Sequence, residues 1–578
     1  MIAVQPGALR TVLRGGTVVD GSGGPPRLAD VEIHGDRITA VGSVPDGPGE
    51  VIDATGMLVT PGFIDVHTHY DGQVTWAQQL LPSSAHGVTT AIIGNCGVGF
   101  APCRSQDRDT LVRLMEGVED IPEIVFTQGL PWAWETFPQY LDFLAGREFD
   151  MDVGAYLPHA ALRVYAMGQR GARREPATAQ DRQRMRELAC EAMRVGAFGF
   201  STSRTINHRS SDGSNTPMYQ AATEELVEIA RGLQDAGSGL LQVVAGFTQP
   251  VEDFEVLRAM VRASNRPLSV SLAQSHERPD DWQGILRMME SASSQGLDIT
   301  AQVCARAVGM LMGLDMSLHP FSFHPAYRAI AHLPLAERVA QMRRPEVREL
   351  ILSQQPDASL AGDQRSMKRA LDLEGVYPLG DPTDYEPQAG DSIAARARAL
   401  AMPPQQLAYD MLLRDEGHLV LMRPVHSYAH HDLEACREML QHPLTVIGLG
   451  DGGAHCGYIC DASWPTFMLT HWTRDRTRGP RMALESAVKM QSADPARLMG
   501  LHDRGLVAPG RKADLNVIDY ARLRLQSPRV VYDLPGQGRR LLQDAQGYVA
   551  TIVSGQVTRR NGQATSNLPG RLLRAGTA

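Results

Sequence analysis

The stretch Gly62-Phe63-Ile64-Asp65-Val66-His67-Thr68-His69 constrains this chain more than any other. Its first part is apolar and predicts a buried strand. Pro61 stops a preceding element from running straight into it. Its end carries two histidines one residue apart. Alternate side chains of a strand share a face, so His67 and His69 leave together while Val66 and Thr68 point the other way. Two imidazoles on one side of a strand end suit one metal ion. An isolated His-x-His is common and usually means nothing. Here it closes an apolar run and precedes Tyr70-Asp71-Gly72, a turn-like sequence.

The 578 residues exceed what one compact domain usually takes, so a large domain with a smaller one is expected. Apolar residues make up 43%, enough for a packed core. A formal net charge of −9 argues against a nucleic-acid-binding surface. No apolar run is long enough to span a bilayer, and the N-terminus lacks the layout of a signal peptide. Seven scattered cysteines fit reduced thiols in a cytoplasm better than a disulfide framework.

Residues 11–59 alternate short apolar strands with Gly-rich turns, which indicates a small antiparallel sheet. The C-terminal segments Ala513–Ile518, Val549–Val553 and Gln556–Thr558 have the same texture. Neither end has the apolar area to stand alone, so the two ends are expected to pair into one small β-sandwich domain. The expected division is 1–60 for its N-terminal part, 61–504 for the large domain, and 505–578 for its C-terminal part and tail.

Between the ends, continuous apolar runs alternate with amphipathic helical stretches. With Ile64–Val66 the runs are Val88–Ile93, Val153–Leu157, Phe198–Ser201, Leu240–Val244, Leu268–Leu272, Ile299–Val303, Leu419–Met422 and Val446–Leu449. Helices are expected between most of them, for example at Ala179–Val195, Thr223–Asp235 and Gln283–Ser294. That rhythm means a parallel sheet covered on both faces, in an α/β protein. A (β/α)₈ TIM barrel is the first choice and an open doubly wound sheet the second. No Gly-x-Gly-x-x-Gly follows the first strand, which disfavours dinucleotide binding. Nine runs for a barrel of eight leave one in excess. The stretch 309–400 breaks the rhythm and reads as an insertion over one face.

In such a barrel the chemistry sits where the strands end. The ends offer His67 and His69, Cys96, His159, Arg204 with His208 just beyond, Gln242, Gln274 with His276, Cys304 with Arg306, and Asp451 with His455. Singly, each has a bland alternative: Asp451 as a turn residue, Cys96 as a small buried hydrophobe, His276 as a solvent-facing side chain, His159 and His455 as core or loop histidines. Jointly, two histidines, a thiolate and an aspartate at one mouth can hold Zn²⁺ with a position open for water. A carboxylate beside it can take a proton and hand it to a leaving nitrogen. That is hydrolysis of an amide.

Pro61 to His69 resembles the opening metal motif of the amidohydrolase superfamily, and Gly94-Asn95-Cys96-Gly97 resembles its N-acyl-D-amino-acid deacylase (D-aminoacylase) branch. His159–Arg163, Gly199–Arg204, Gly450–His455 and Gly510–Leu515 extend the resemblance over nearly the whole chain. It implies zinc, one or two ions per chain, on His67, His69 and Cys96, with Asp451 both touching the metal and acting as general acid/base. Many members of that superfamily use a carbamylated lysine at the fourth strand; Lys368, Lys489 and Lys512 lie near no such strand end. D-aminoacylases place histidines at the ends of the fifth and sixth strands, where this chain has Gln242 and Gln274. A second site would need His208 or His276. Arg204, Arg306 and His455 are candidate substrate contacts, since guanidinium matches carboxylate geometry. The expected partner is a small-molecule amide, with no nucleic acid and no membrane, in a homo-oligomer if the small sheet pairs by its edge. A cyclic-amide hydrolase of hydantoinase or dihydroorotase type, and a scaffold that binds but has lost catalysis, are the alternatives.

Overall fold

The computed structural model describes residues 9–360 and 364–576. Eight strands follow one another through one parallel sheet in chain order: Phe63–Asp65, Val88–Ile93, Asp152–Pro158, Gly199–Ser203, Leu240–Val244, Leu268–Leu272, Ile299–Val303 and Thr445–Ile447. Most of their residues are buried, as a sheet covered on both faces requires. Amphipathic helices pack outside: Ala179–Arg194 lies against Thr223–Ala236, which lies against Pro250–Ser264. Sequence chemistry sets their ends. Thr178 and Asp181 form a capping box at the start of the first, and Gly237 takes a left-handed turn after the second.

The ring closes just beyond the strands. The Asp451 amide donates to the His67 carbonyl at 3.1 Å, and the His69 amide donates to the Gly452 carbonyl at 2.7 Å. This is the (β/α)₈ barrel expected from the run pattern.

The run in excess is Leu419–Met422. The strand there, Leu421–His426, lies antiparallel to Val308–Met312 and Tyr377–Pro378 in a separate three-stranded sheet. A short apolar run reads alike in either setting, because burial and not sheet membership makes it apolar. The excursion between the seventh and eighth strands is therefore longer than 309–400. It carries its own apolar cluster, including Met312, Phe321, Met342, Ile393, Tyr409 and Leu421.

The two chain ends meet as expected. Leu58–Pro61 pairs in parallel with Arg10–Val18 and antiparallel with Leu515–Ile518. The expected sandwich takes the form of one nine-stranded sheet with its own apolar cluster, which includes Leu13, Val31, Ile52, Leu515 and Ile552. A buried ionic cluster staples this sheet to the barrel. Lys512 Nζ donates to Asp152 at 2.8 Å and to Asp514 at 2.7 Å, and Arg504 donates to Asp152 at 2.6 Å. Among the described residues, no helix is long and apolar enough to cross a membrane.

Candidate metal centre

The first strand delivers His67 and His69 to the mouth of the barrel, both buried. The turn Asn95–Gly97 after the second strand delivers Cys96. Gly94 allows that turn, because a Cβ there would stand 2.6 Å from the Tyr156 carbonyl oxygen. Cys96 itself has φ +57°, a costly left-handed conformation for a residue with a side chain. Its amide donates to Gln242 Oε1 at 3.2 Å, which holds it there. Cys96 Sγ is 3.2 Å from His67 Nε2 and 3.6 Å from His69 Nε2.

Asp451 completes the group from the eighth strand. Its Oδ1 lies 3.4 Å from His67 Nε2 and 3.7 Å from His69 Nε2. Its backbone is left-handed, φ +47°. Burial would raise its carboxyl, but the hydrogen bond from His69 and the charges of His67, His69 and His455 hold it well below the usual range.

The outer nitrogens of the two imidazoles also face polar groups. His67 Nδ1 donates to Gln302 Oε1 at 2.6 Å, since an amide oxygen only accepts. His69 Nδ1 lies 3.3 Å from Glu119 Oε1. The bond to Gln302 turns His67 Nε2 inward, toward the cysteine. Glu119 is buried, and burial with the charges of Asp451 and Asp71 pushes its carboxyl well up. Its other oxygen is 3.7 Å from His455 Nε2, whose amide also donates to the Glu119 carbonyl.

This donor set fits a divalent cation of the kind that prefers imidazole and thiolate. The donor atoms of His67, His69 and Cys96 lie within 4.8 Å of one another. Burial pushes the Cys96 thiol well up, and the charges of Glu119, Asp451 and Asp71 push it further. A cation among these groups reverses that balance and favours the thiolate.

The profile of the amidohydrolase family matches residues 50–559. The chain belongs to the amidohydrolase family. It is 26% identical over 574 residues to a protein of Alcaligenes xylosoxydans xylosoxydans named N-acyl-D-aspartate deacylase, covering 98% of this chain and 95% of that one. It is 27% identical over 520 residues to the N-acyl-D-glutamate deacylase of the same organism, covering 88% and 87%. The crystal structure of a D-aminoacylase shares the fold, with a TM-score of 0.64 and 24% identity over 98% of this chain and 99% of that one.

The structure of this amidohydrolase sorts the other candidates. His455 lies beside the centre, its Nε2 4.0 Å from Asp451 Oδ2, and burial holds its pKa down to about 4. His208 also faces it: Ser203 Oγ is 2.9 Å from His208 Nδ1. Burial, with the charges of His69 and His455, holds His208 at about 3. His276 does not join the centre. It is exposed, and the cations that act on it are Arg423, His431 and Arg369 of the excursion.

Two expected substrate contacts are otherwise engaged. Arg306 is buried against Asp461 at 3.2 Å and stacks on the Tyr385 ring at 3.7 Å. It is a structural ion pair. Arg204 donates to the Ala221 carbonyl at 3.0 Å, and the acid acting on it is Asp253. His159 is a satisfied core histidine, 2.8 Å from Thr202 Oγ1 and 2.9 Å from Glu225 Oε1.

At the fifth and sixth strand ends the glutamines are engaged with backbone. Gln242 accepts from Cys96, while Gln274 accepts from the Ala429 amide at 3.0 Å and donates to the Pro279 carbonyl at 3.2 Å. Among the described residues, one His/Cys/carboxylate group gathers its donors closely enough for a metal. The sequence reading missed Glu119 and Gln302. Gln302 left a signal, a polar residue inside the apolar run Ile299–Val303; Glu119 ends a helix, Arg108–Glu119, and left none.

Proposed function

We propose that this amidohydrolase cleaves the amide C–N bond of an N-acyl-D-amino acid, with Zn²⁺ held by His67, His69 and Cys96 beside Asp451. The observation that carries this reading is the convergence of those four side chains where the first, second and eighth strands end. The names of the relatives similar over most of the chain support it. When bound, zinc supplies Lewis-acid polarisation of the carbonyl and acidifies the attacking water.

The chain's own residues do the rest. Asp451, held ionised by the surrounding imidazoles, accepts a proton from the attacking water. The same carboxyl then returns the proton to the departing nitrogen, which leaves as a neutral amine. Gln302 fixes the tautomer of His67, so that its Nε2 stays free for the metal, and Glu119 backs the outer edge of His69. Seven buried, unpaired cysteines support a cytoplasmic setting.

The test is release of free amine by the zinc-loaded protein from N-acetyl-D-amino acids, their L-enantiomers, hydantoins and dihydroorotate. Turnover confined to the D-series is expected. Ring opening without deacylation would replace this reading with a cyclic-amide hydrolase.

A further inference from the structure

One wall of the barrel mouth has no task in the hydrolysis as derived above. Asp451 and Glu119 approach the metal ligands from the eighth strand and from the helix Arg108–Glu119. The fifth, sixth and seventh strands, Leu240–Val244, Leu268–Leu272 and Ile299–Val303, contain no charged residue. Bulky branched side chains usually fill the inner positions of such a barrel. Here Gln242 stands opposite Ser201 and Ser269, and Ser271 opposite Gln302, in register and so on one face. That face is the inner one, because Gln302 reaches His67 and Ser201 Oγ accepts from the Gly97 amide at 3.1 Å. Among the described residues, Gln242 Nε2, Ser269 Oγ, Ser271 Oγ and Gln302 Nε2 are buried with no hydrogen-bond partner. Buried donors are rarely left so, because an unpaired one is costly.

Gln242 is the best placed of the four. It is fully buried. Its oxygen is the end that accepts from the Cys96 amide at 3.2 Å, since a backbone N–H only donates. That bond fixes which end of the side chain carries the hydrogens. Nε2 sits on the same carbon, inside the barrel and beside the turn that carries Cys96. Gln274, one strand on, differs: both ends of its amide are engaged with backbone. Gln242 holds the turn with one atom and keeps two N–H donors for another group.

We propose that Gln242 Nε2 donates a hydrogen bond to the carbonyl oxygen of the scissile amide, and that this bond strengthens as the oxygen gains charge. The inference rests on the deacylase reading above and adds a catalytic residue to it. As the water oxygen bonds to the carbonyl carbon, the π pair moves onto the carbonyl oxygen. It returns when the C–N bond breaks. A donor already in place at that oxygen lowers the barrier of both steps. A neutral donor suits this site, because it stabilises the oxygen without pairing with Asp451, which must stay free to take a proton. The wall around it carries no carboxylate to repel the charge.

The experiment measures kcat, KM and zinc content of the wild type, Gln242→Glu and Gln242→Met, with N-acetyl-D-leucine and N-acetyl-D-aspartate as substrates. Calorimetry adds the Kd of the methylphosphonyl analogue of N-acetyl-D-leucine, in which tetrahedral phosphorus replaces the carbonyl carbon, and of the product D-leucine. Gln242→Glu keeps an oxygen for the Cys96 amide and removes the donor; Gln242→Met removes both. Both variants should lower kcat about 10- to 100-fold, and Gln242→Glu should do so with its zinc retained. The phosphonyl analogue should bind more weakly by a similar factor, and D-leucine equally well. A Gln242→Glu enzyme with wild-type kcat and analogue affinity, or losses that only track lost zinc in both variants, would confine Gln242 to holding Cys96. Either result would overturn the proposal and leave the deacylase reading intact. A wild type that cleaves neither substrate would overturn both.

Discussion

The backbone amide of Asp451 donates to the carbonyl of His67 at 3.1 Å, and the carboxylate of Asp451 stands 3.4 Å from the imidazole of the same His67. The stitch that closes the barrel is thus also what sets the general acid/base against the metal ligands. Residues separated by most of the chain are neighbours because the first and eighth strands of a ring must be.

Asp451→Asn keeps the size of the side chain and the closing hydrogen bond but removes the proton acceptor. The expected result is a fall in kcat of about 10² to 10⁴ with zinc still bound. Amine-release kinetics beside metal analysis of the same sample check it, and full turnover would remove Asp451 from the mechanism.

Gln302→Leu takes away the acceptor for His67 Nδ1, 2.6 Å away, and leaves that nitrogen buried without a partner. Outer partners of this kind are worth about 10–100-fold in metal affinity. Competition with a zinc chelator should show a loss in that range, with the circular dichroism spectrum unchanged.

The pH dependence of stability follows from Glu386. Burial raises its carboxyl, but His471 and Arg476 bonded to it, with the Leu433 amide, bring it down to about 2 from the ordinary 4.5. A depressed carboxyl stabilises the fold fully above its unfolded value. That contribution is lost as pH falls from about 4.5 through 2, and amounts to about 2–3 kcal/mol. In thermal melts across this window the wild type should lose more Tm than Glu386→Gln. Parallel curves would contradict the assignment.

The buried cluster of Asp152, Arg504, Lys512 and Asp514 joins the barrel to the small sheet. Lys512→Met leaves two buried carboxylates sharing one arginine. Breaking a buried pair this way costs about 3–5 kcal/mol, so Tm should drop by several degrees. An unchanged Tm would mean that the cluster does not hold the two parts together.

Much of this was legible in the sequence, for identifiable reasons. The barrel follows from apolar runs at regular intervals, since a strand covered on both faces buries nearly all its side chains and so is mostly apolar. His67, His69 and Cys96 could be read because they stand at the ends of such runs. The run Leu419–Met422 misled because burial alone makes it apolar: Leu421 packs in the excursion's own core and Met422 against the main one, without either joining the barrel sheet. Arg306 misled because chain position does not reveal that Asp461 and Tyr385 close around it. Glu119 was invisible because its role depends on where a helix ends in space, a tertiary fact with no local pattern.

Metal content of the purified protein, wild type beside His67→Ala and Cys96→Ala, tests the central claim most directly. The account predicts about one zinc per chain in the wild type, lost in both variants, because among the described residues one cluster of donors is close enough to hold it. No zinc in the wild type after exposure to excess metal, or zinc retained in both variants, would contradict it.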